Sequence, residues 1–101
     1  MKSIHFCTKQ LIDDLMNYRI LLTYRTIFIP RIYPKEIIKL KIRINGVDKM
    51  FCNGLVLNIS PTQFKNIGHC FKTEINEKFK NKFNPEHWFF EILIDPIREG
   101  S

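Results

Sequence analysis

The chain has no alanine, only four glycines and one tryptophan, and no apolar run long enough to cross a membrane. Its longest aliphatic stretches, such as Ile20-Leu21-Leu22, fall far short of the ~20 residues a helical span requires. There is no Gly-rich phosphate loop, no His-Glu-x-x-His and no Gly-x-Ser-x-Gly, which removes the strong signatures of P-loop nucleotide binding, zinc proteases and hydrolase nucleophile elbows. The three cysteines, Cys7, Cys52 and Cys70, are odd in number, far apart and never in a Cys-x-x-Cys pair. That argues against a disulfide framework or a zinc knuckle, suits a reducing compartment, and makes each thiol an expected small buried hydrophobe. His5 with Cys7, or His69 with Cys70, offers two metal ligands where a structural zinc needs four, so neither a metal nor a cofactor is expected. Near the N-terminus His5, Lys9 and two aspartates stand where a signal peptide would be apolar, and the expectation is a soluble, cytoplasmic protein.

What is present suffices for a core. With 101 residues, 45% of them hydrophobic and 13% aromatic, one folded domain is expected over residues 1–98, with 99–101 kept apart as a tail. The net charge of +6 is unevenly placed: residues 1–50 carry ten Lys/Arg against four Asp/Glu, whereas residues 51–101 carry six of each. Within the first half, Lys39, Lys41 and Arg43 alternate with Ile38, Leu40, Ile42 and Ile44. A strand there would turn its apolar set inward and align three cations on its other face, near Arg25, Arg31 and Lys35. Such a stripe suits an anionic partner, but lysines also protect a sheet edge, and a chain crowded with Ile, Lys and Asn draws some of them from coding bias.

Residues 3–7 read as a strand, and Thr8 as the N-cap of a helix carrying Leu11, Ile12, Leu15 and Met16 and ending near Asn17. Residues 19–29 suit an extended segment, Pro30 and Pro34 a loop, and 36–44 a strand closed by the Asn45-Gly46 turn. A further strand is expected over 50–59, with a bulge at Asn53-Gly54. Ser60-Pro61-Thr62-Gln63 has the form of a capping box and predicts a short helix. From Thr73, Ile75, Phe79 and Phe83 recur every four residues and predict another helix, with Lys78, Lys80 and Lys82 on its rim, stopping before Asn84-Pro85. Trp88 to Ile94 reads as a buried final strand, and His87 as a corner packed on the core. This order predicts an α+β domain built on a small, mainly antiparallel β-barrel with flanking helices.

The segment Asp13-Asp14-Leu15-Met16-Asn17-Tyr18-Arg19-Ile20-Leu21-Leu22-Thr23-Tyr24-Arg25, followed by Lys35-Glu36-Ile37-Ile38-Lys39-Leu40, resembles the ASCH superfamily of PUA-like domains. It is most similar to the smallest branch, the bacterial 4-N-acetylcytidine amidohydrolases, in which a helix ends in a Gly-Arg-Lys-Thr-x-Thr-x-Arg turn and strand and a Gly-Asp plus an apolar strand follow. The resemblance runs from Ile4 to Leu40, resumes at Phe51-Cys52 and returns at Trp88-Phe89-Phe90-Glu91-Ile92. It implies a small barrel whose cleft takes a nucleoside or an RNA segment. It also implies a threonine nucleophile, activated by a lysine and assisted by a glutamate, that removes the acetyl group from cytidine. Position by position, Thr23 matches the threonine and Arg25 the arginine after it. The lysine falls on Ile20, and Arg19 beside it cannot replace a base because guanidinium keeps its proton. Glu74 or Glu77 stands for the glutamate, and Lys35-Glu36 for the Gly-Asp.

The expected function is therefore RNA or nucleotide binding by a monomeric domain. Arg25 would meet phosphate or a base edge, with Arg19, Arg31, Lys35, Lys39, Lys41 and Arg43 supplying attraction and Tyr24, Tyr33 or Trp88 stacking a base. The alternatives are an amidohydrolase working through Thr23, with His5 as substitute base, and a protein-interaction domain that has given up nucleic acid.

Overall fold

Ser3–Phe6 forms the first strand, β1, and buries Ile4 and Phe6. The computed structural model describes residues 2–26, 31–80 and 82–98. Helix α1 follows over Lys9–Met16, with Thr8 at the N-cap position but without a side-chain capping bond. Leu15 is buried on α1 and Leu11 and Ile12 pack beside it, whereas Met16, expected on the same face, is exposed. The helix ends at Asn17, whose Nδ2 donates to the Asp13 carbonyl at 2.8 Å, and Tyr18 takes a positive φ of 54°.

Strands β2 (Leu21–Arg25), β3 (Ile37–Ile44), β4 (Val47–Gln63) and β5 (Trp88–Pro96) complete one five-stranded sheet in the order β1-β3-β4-β5-β2. Only β1 and β3 run parallel. The part of the extended segment beyond residue 26 lies outside the described residues. In β3 the alternation holds for three of the four apolar positions: Ile38, Leu40 and Ile42 are buried and Lys39, Lys41 and Arg43 occupy the opposite face, but Ile44, at the hairpin end of the strand, is exposed. Its turn has positive φ at both Asn45 (52°) and Gly46 (79°), the handedness that suits a two-residue hairpin.

Strand β4 is much longer than its sequence suggests, because it serves two neighbours. Its first half pairs with β3 and its second half with β5, with register shifts opposite Leu40/Lys41 and between Val56 and Asn58. The bulge expected at Asn53-Gly54 is not there: Gly54 sits in regular register with Ile38 on one side and Pro96 on the other. Glycine is needed there for space, since a Cβ would stand 2.7 Å from Leu40 Cδ1 and 2.8 Å from Ile94 Cγ2.

The capping box at Ser60 is overridden in the same way. Ser60 to Gln63 continue β4 against Glu91 to Trp88, and the helix expected there shrinks to a 3₁₀ turn over Phe64–Asn66. Pro61 is tolerated because β4 has no β3 partner beyond Leu55, so its other side is an open edge. Helix α2 spans His69–Phe79, starting four residues before Thr73 and stopping at Lys80 in the left-handed conformation.

Two apolar clusters hold these layers together. The larger joins Ile4, Phe6, Leu15, Leu21, Ile38, Leu40, Cys52, Ile92 and Ile94 on one face of the sheet. The smaller joins Phe64, Ile67 and Phe89 with Tyr24, Phe71, Ile75 and Phe83. His87 lies beside this cluster, 4.6 Å from the Phe83 ring and 5.4 Å from that of Phe89, but it is exposed rather than packed into the core, and Trp88 is likewise exposed rather than buried. The fold is thus α+β on a mainly antiparallel sheet. Backbone pairing among the described residues leaves β1 and β2 as free edges and does not close a barrel. One side chain spans the opening: Arg25 Nη2 on β2 donates to the His5 carbonyl on β1 at 2.9 Å.

Candidate functional site

Between these two edges and α2 lies a cavity of about 750 Å³. β1 contributes His5 and Phe6, with Cys7 and Thr8 just beyond its end; β2 contributes Thr23, Tyr24 and Arg25; α2 contributes Phe71, Glu74, Ile75, Glu77, Lys78 and Phe79. Four residues singled out from the sequence, Thr23, Tyr24, Arg25 and Glu74, therefore line the same cavity.

Thr23 is paired with Ile92 and only 3% exposed, the one buried polar side chain among the described residues. Strand alternation puts it on the same side of β2 as Leu21 and Arg25. No imidazole, amine or carboxylate among the described residues hydrogen-bonds to its hydroxyl. Tyr24 faces the other way. Its hydroxyl donates to Glu91 Oε2 at 3.0 Å and its ring meets Phe71 edge-on at 5.0 Å, so it is a wall rather than a free stacking platform. Burial and the neighbouring Glu91 carboxylate push the Tyr24 phenol up to about 12, and it stays protonated at neutral pH.

Arg25 has the most unusual surroundings. Beyond its bond to the His5 carbonyl, its Nε is buried without a partner, and the guanidinium lies 5.4 Å from the Phe6 ring centroid. Burial depresses its proton affinity, opposed only by the Cys7 thiol, yet a guanidinium remains charged. Thr8 Oγ1, also on the cavity wall, is a second buried polar atom without a partner. His5 is held below its ordinary value, first by burial and then by the charges of Arg43, Arg25 and Lys78, with Asp48 opposing them. Lys78 Nζ reaches Cys7 Sγ at 3.7 Å.

The other predicted cations are elsewhere. Arg19 is exposed at the end of α1 and paired with Asp13 and Asp14 at 3.2 and 3.0 Å. Arg43 holds Asp48 through two hydrogen bonds of 2.7 and 3.1 Å, and these raise the proton affinity of the arginine and lower that of the aspartate. Lys39 is exposed and Lys41 half-buried on the same outer face, while Arg31 and Lys35 are exposed on the connection before β3. None of these six lines the cavity. Nor do the lysines guard an edge, because β3 lies between β1 and β4. Tyr33 is exposed beneath Lys2 Nζ, 5.0 Å from its ring centroid. Ile20 is exposed and lines, with Leu22, a recess of about 160 Å³ that shares Leu11, Phe71 and Glu74 with the cavity.

Cys7 and Cys70 are exposed, and only Cys52 is the buried hydrophobe expected of all three. Among the described residues no group of three or more metal-ligating side chains converges, and no helix is long and apolar enough to cross a membrane. Sequence reading passed over Lys78 and Phe71 as cavity residues. Phe71, Glu74, Ile75 and Lys78 recur at helical spacing, but that signal needs the true start of α2 at His69 to be visible. Compared with known proteins, the chain matches no protein-family model, no curated protein and no solved structure.

Proposed function

We propose that the protein is a nucleotide- or RNA-binding domain of the ASCH, PUA-like type, and that the cavity between its two sheet edges receives one nucleotide unit. The observation that carries this reading is the convergence of Thr23, Tyr24, Arg25 and Glu74 on one cavity. Its volume lies within the ~300–1,000 Å³ typical of small-ligand sites. Phe6, Phe71 and Phe79 give it the apolar walls a base requires, while Arg25 and Glu74 offer a donor and an acceptor for polar edges. The Arg25 bridge from β2 to β1 supports the barrel-like half of the resemblance, since it draws together the edges that a closed barrel would pair.

The binding surface in this reading is the cavity rather than the outer stripe of β3. Calorimetric titration with a mononucleotide and a short RNA tests it. Arg25→Ala should weaken binding by about tenfold or more, as loss of a charged hydrogen bond does, while the double variant Lys39→Glu, Lys41→Glu should leave mononucleotide binding nearly unchanged. Absence of binding to either ligand, or loss only in the stripe variant, overturns the proposal.

A second reading, an amidohydrolase on acetylated cytidine, draws support from Thr23, Glu74 and an ammonium group, Lys78, lining the same cavity. Against it stands the missing base at Thr23, because a hydroxyl needs its proton removed to attack. Incubation with acetylcytidine decides this: cytidine release abolished by Thr23→Ala supports turnover, and no product at high protein concentration removes it.

A further inference from the structure

The cavity places its charges unevenly. Arg19, Arg43 and Lys2, all at least partly exposed, are each matched by a carboxylate within 3.2 Å. Arg25, whose Nε is wholly buried, has none. Neither carboxylate of α2 on the cavity wall, Glu74 or Glu77, forms an ion pair with Arg25 or with Lys78 among the described residues. Lys78 instead approaches the Cys7 thiol at 3.7 Å. His5, on the same wall, completes a group of three nitrogen-bearing side chains. A half-buried cation without a counterion is unfavourable, and a guanidinium on a cavity wall has the donor geometry that suits a tetrahedral oxyanion.

We propose that Arg25, Lys78 and His5 form a subsite for a phosphate dianion, so that the ligand is a nucleoside monophosphate or free phosphate rather than a bare nucleoside. This rests on the nucleotide-cavity reading and adds its charge requirement. Arg25 supplies the directional donors, exposed Lys78 a point charge, and His5, which also faces Arg43 and Asp48, a further hydrogen-bonding nitrogen on the cavity wall. Cys7, exposed beside Lys78, serves as a built-in reporter of occupancy, with exposed Cys70 as reference.

Two measurements test the subsite. In the first, the rate of Cys7 alkylation by iodoacetamide is followed by mass spectrometry as inorganic phosphate is added at constant ionic strength. Cys7 should be protected saturably and Cys70 not; no protection of Cys7, or equal protection of both, overturns the subsite. In the second, cytidine and cytidine 5′-monophosphate are compared by calorimetry. The monophosphate should bind about tenfold or more tightly, from charge-assisted hydrogen bonds. Lys78→Glu, an exposed change that leaves the core intact, and Arg25→Gln should each erase that difference. Equal affinity for the two ligands overturns the phosphate subsite and leaves the nucleotide-cavity reading standing. Binding of neither removes both, and binding of free phosphate without the nucleotide keeps the subsite and removes the base-binding reading.

Discussion

Replacing Arg25 by methionine separates a residue kept for a ligand from one kept for the fold. As a structural staple, Arg25 contributes one charged hydrogen bond to the His5 carbonyl, worth about 1.5–3 kcal/mol, and a cation–π contact with Phe6 worth about 0.5–2 kcal/mol. Opposing these are the desolvation of a charge without a carboxylate partner, several kcal/mol, and the unpaired Nε, about 1–3 kcal/mol. The two sides nearly cancel, and methionine preserves the apolar stem. Arg25→Met should therefore cost less than about 1 kcal/mol in the free protein. Urea unfolding measures this directly, and repeating it with cytidine 5′-monophosphate adds the linkage. At a hundred times the wild-type dissociation constant the wild type should gain about 2.7 kcal/mol, and a variant weakened tenfold only about 1.4 kcal/mol. A loss of about 3–5 kcal/mol in the free variant, the scale of a broken buried pair, together with undiminished stabilisation by the ligand, would refute the reasoning.

Two other outcomes follow from the geometry. Gly54→Ala forces a methyl group against Leu40 and Ile94 and should cost about 1–3 kcal/mol by overpacking, lowering the melting temperature by several degrees; adding Leu40→Val should recover part of it, and an unchanged melting temperature would contradict the close approach. His5 binds its proton more weakly in the folded chain than in the unfolded one, being pressed by burial and by Arg43, Arg25 and Lys78 against a single opposing Asp48. Its contribution to stability is therefore complete above about pH 6.5 and declines as pH falls through the folded value below that. Denaturation midpoints measured across this window should fall less steeply in His5→Gln, and parallel curves would contradict the shift.

The parts of the fold that were legible in the sequence are those fixed by short-range chemistry. The period-two pattern of β3 carries through because its two faces meet different surroundings, and Asn45-Gly46 turns because both residues accept positive φ. The capping box at Ser60 fails for the opposite reason: local capping groups lose to nine residues of β4 paired with β5, a contact set by distant sequence. Sheet order is likewise non-local, with β1 beside β3 and β2 beside β5. The candidate site divides along the same line. Thr23, Tyr24 and Arg25 reach the cavity together because they are consecutive on one strand, whereas Lys78 meets Cys7 across 71 residues and carries no local mark of that contact. The basic stripe is legible as a shared strand face, but its cations do not line the cavity.

The claim that the cavity, and not the outer face of β3, receives the ligand is tested most directly by following the backbone amide shifts of ¹⁵N-labelled protein during titration with cytidine 5′-monophosphate. Saturable changes are predicted at His5 to Thr8, Thr23 to Arg25 and Phe71 to Lys78. Changes centred on Lys39, Lys41 and Arg43, or no saturable change at any amide, would contradict it.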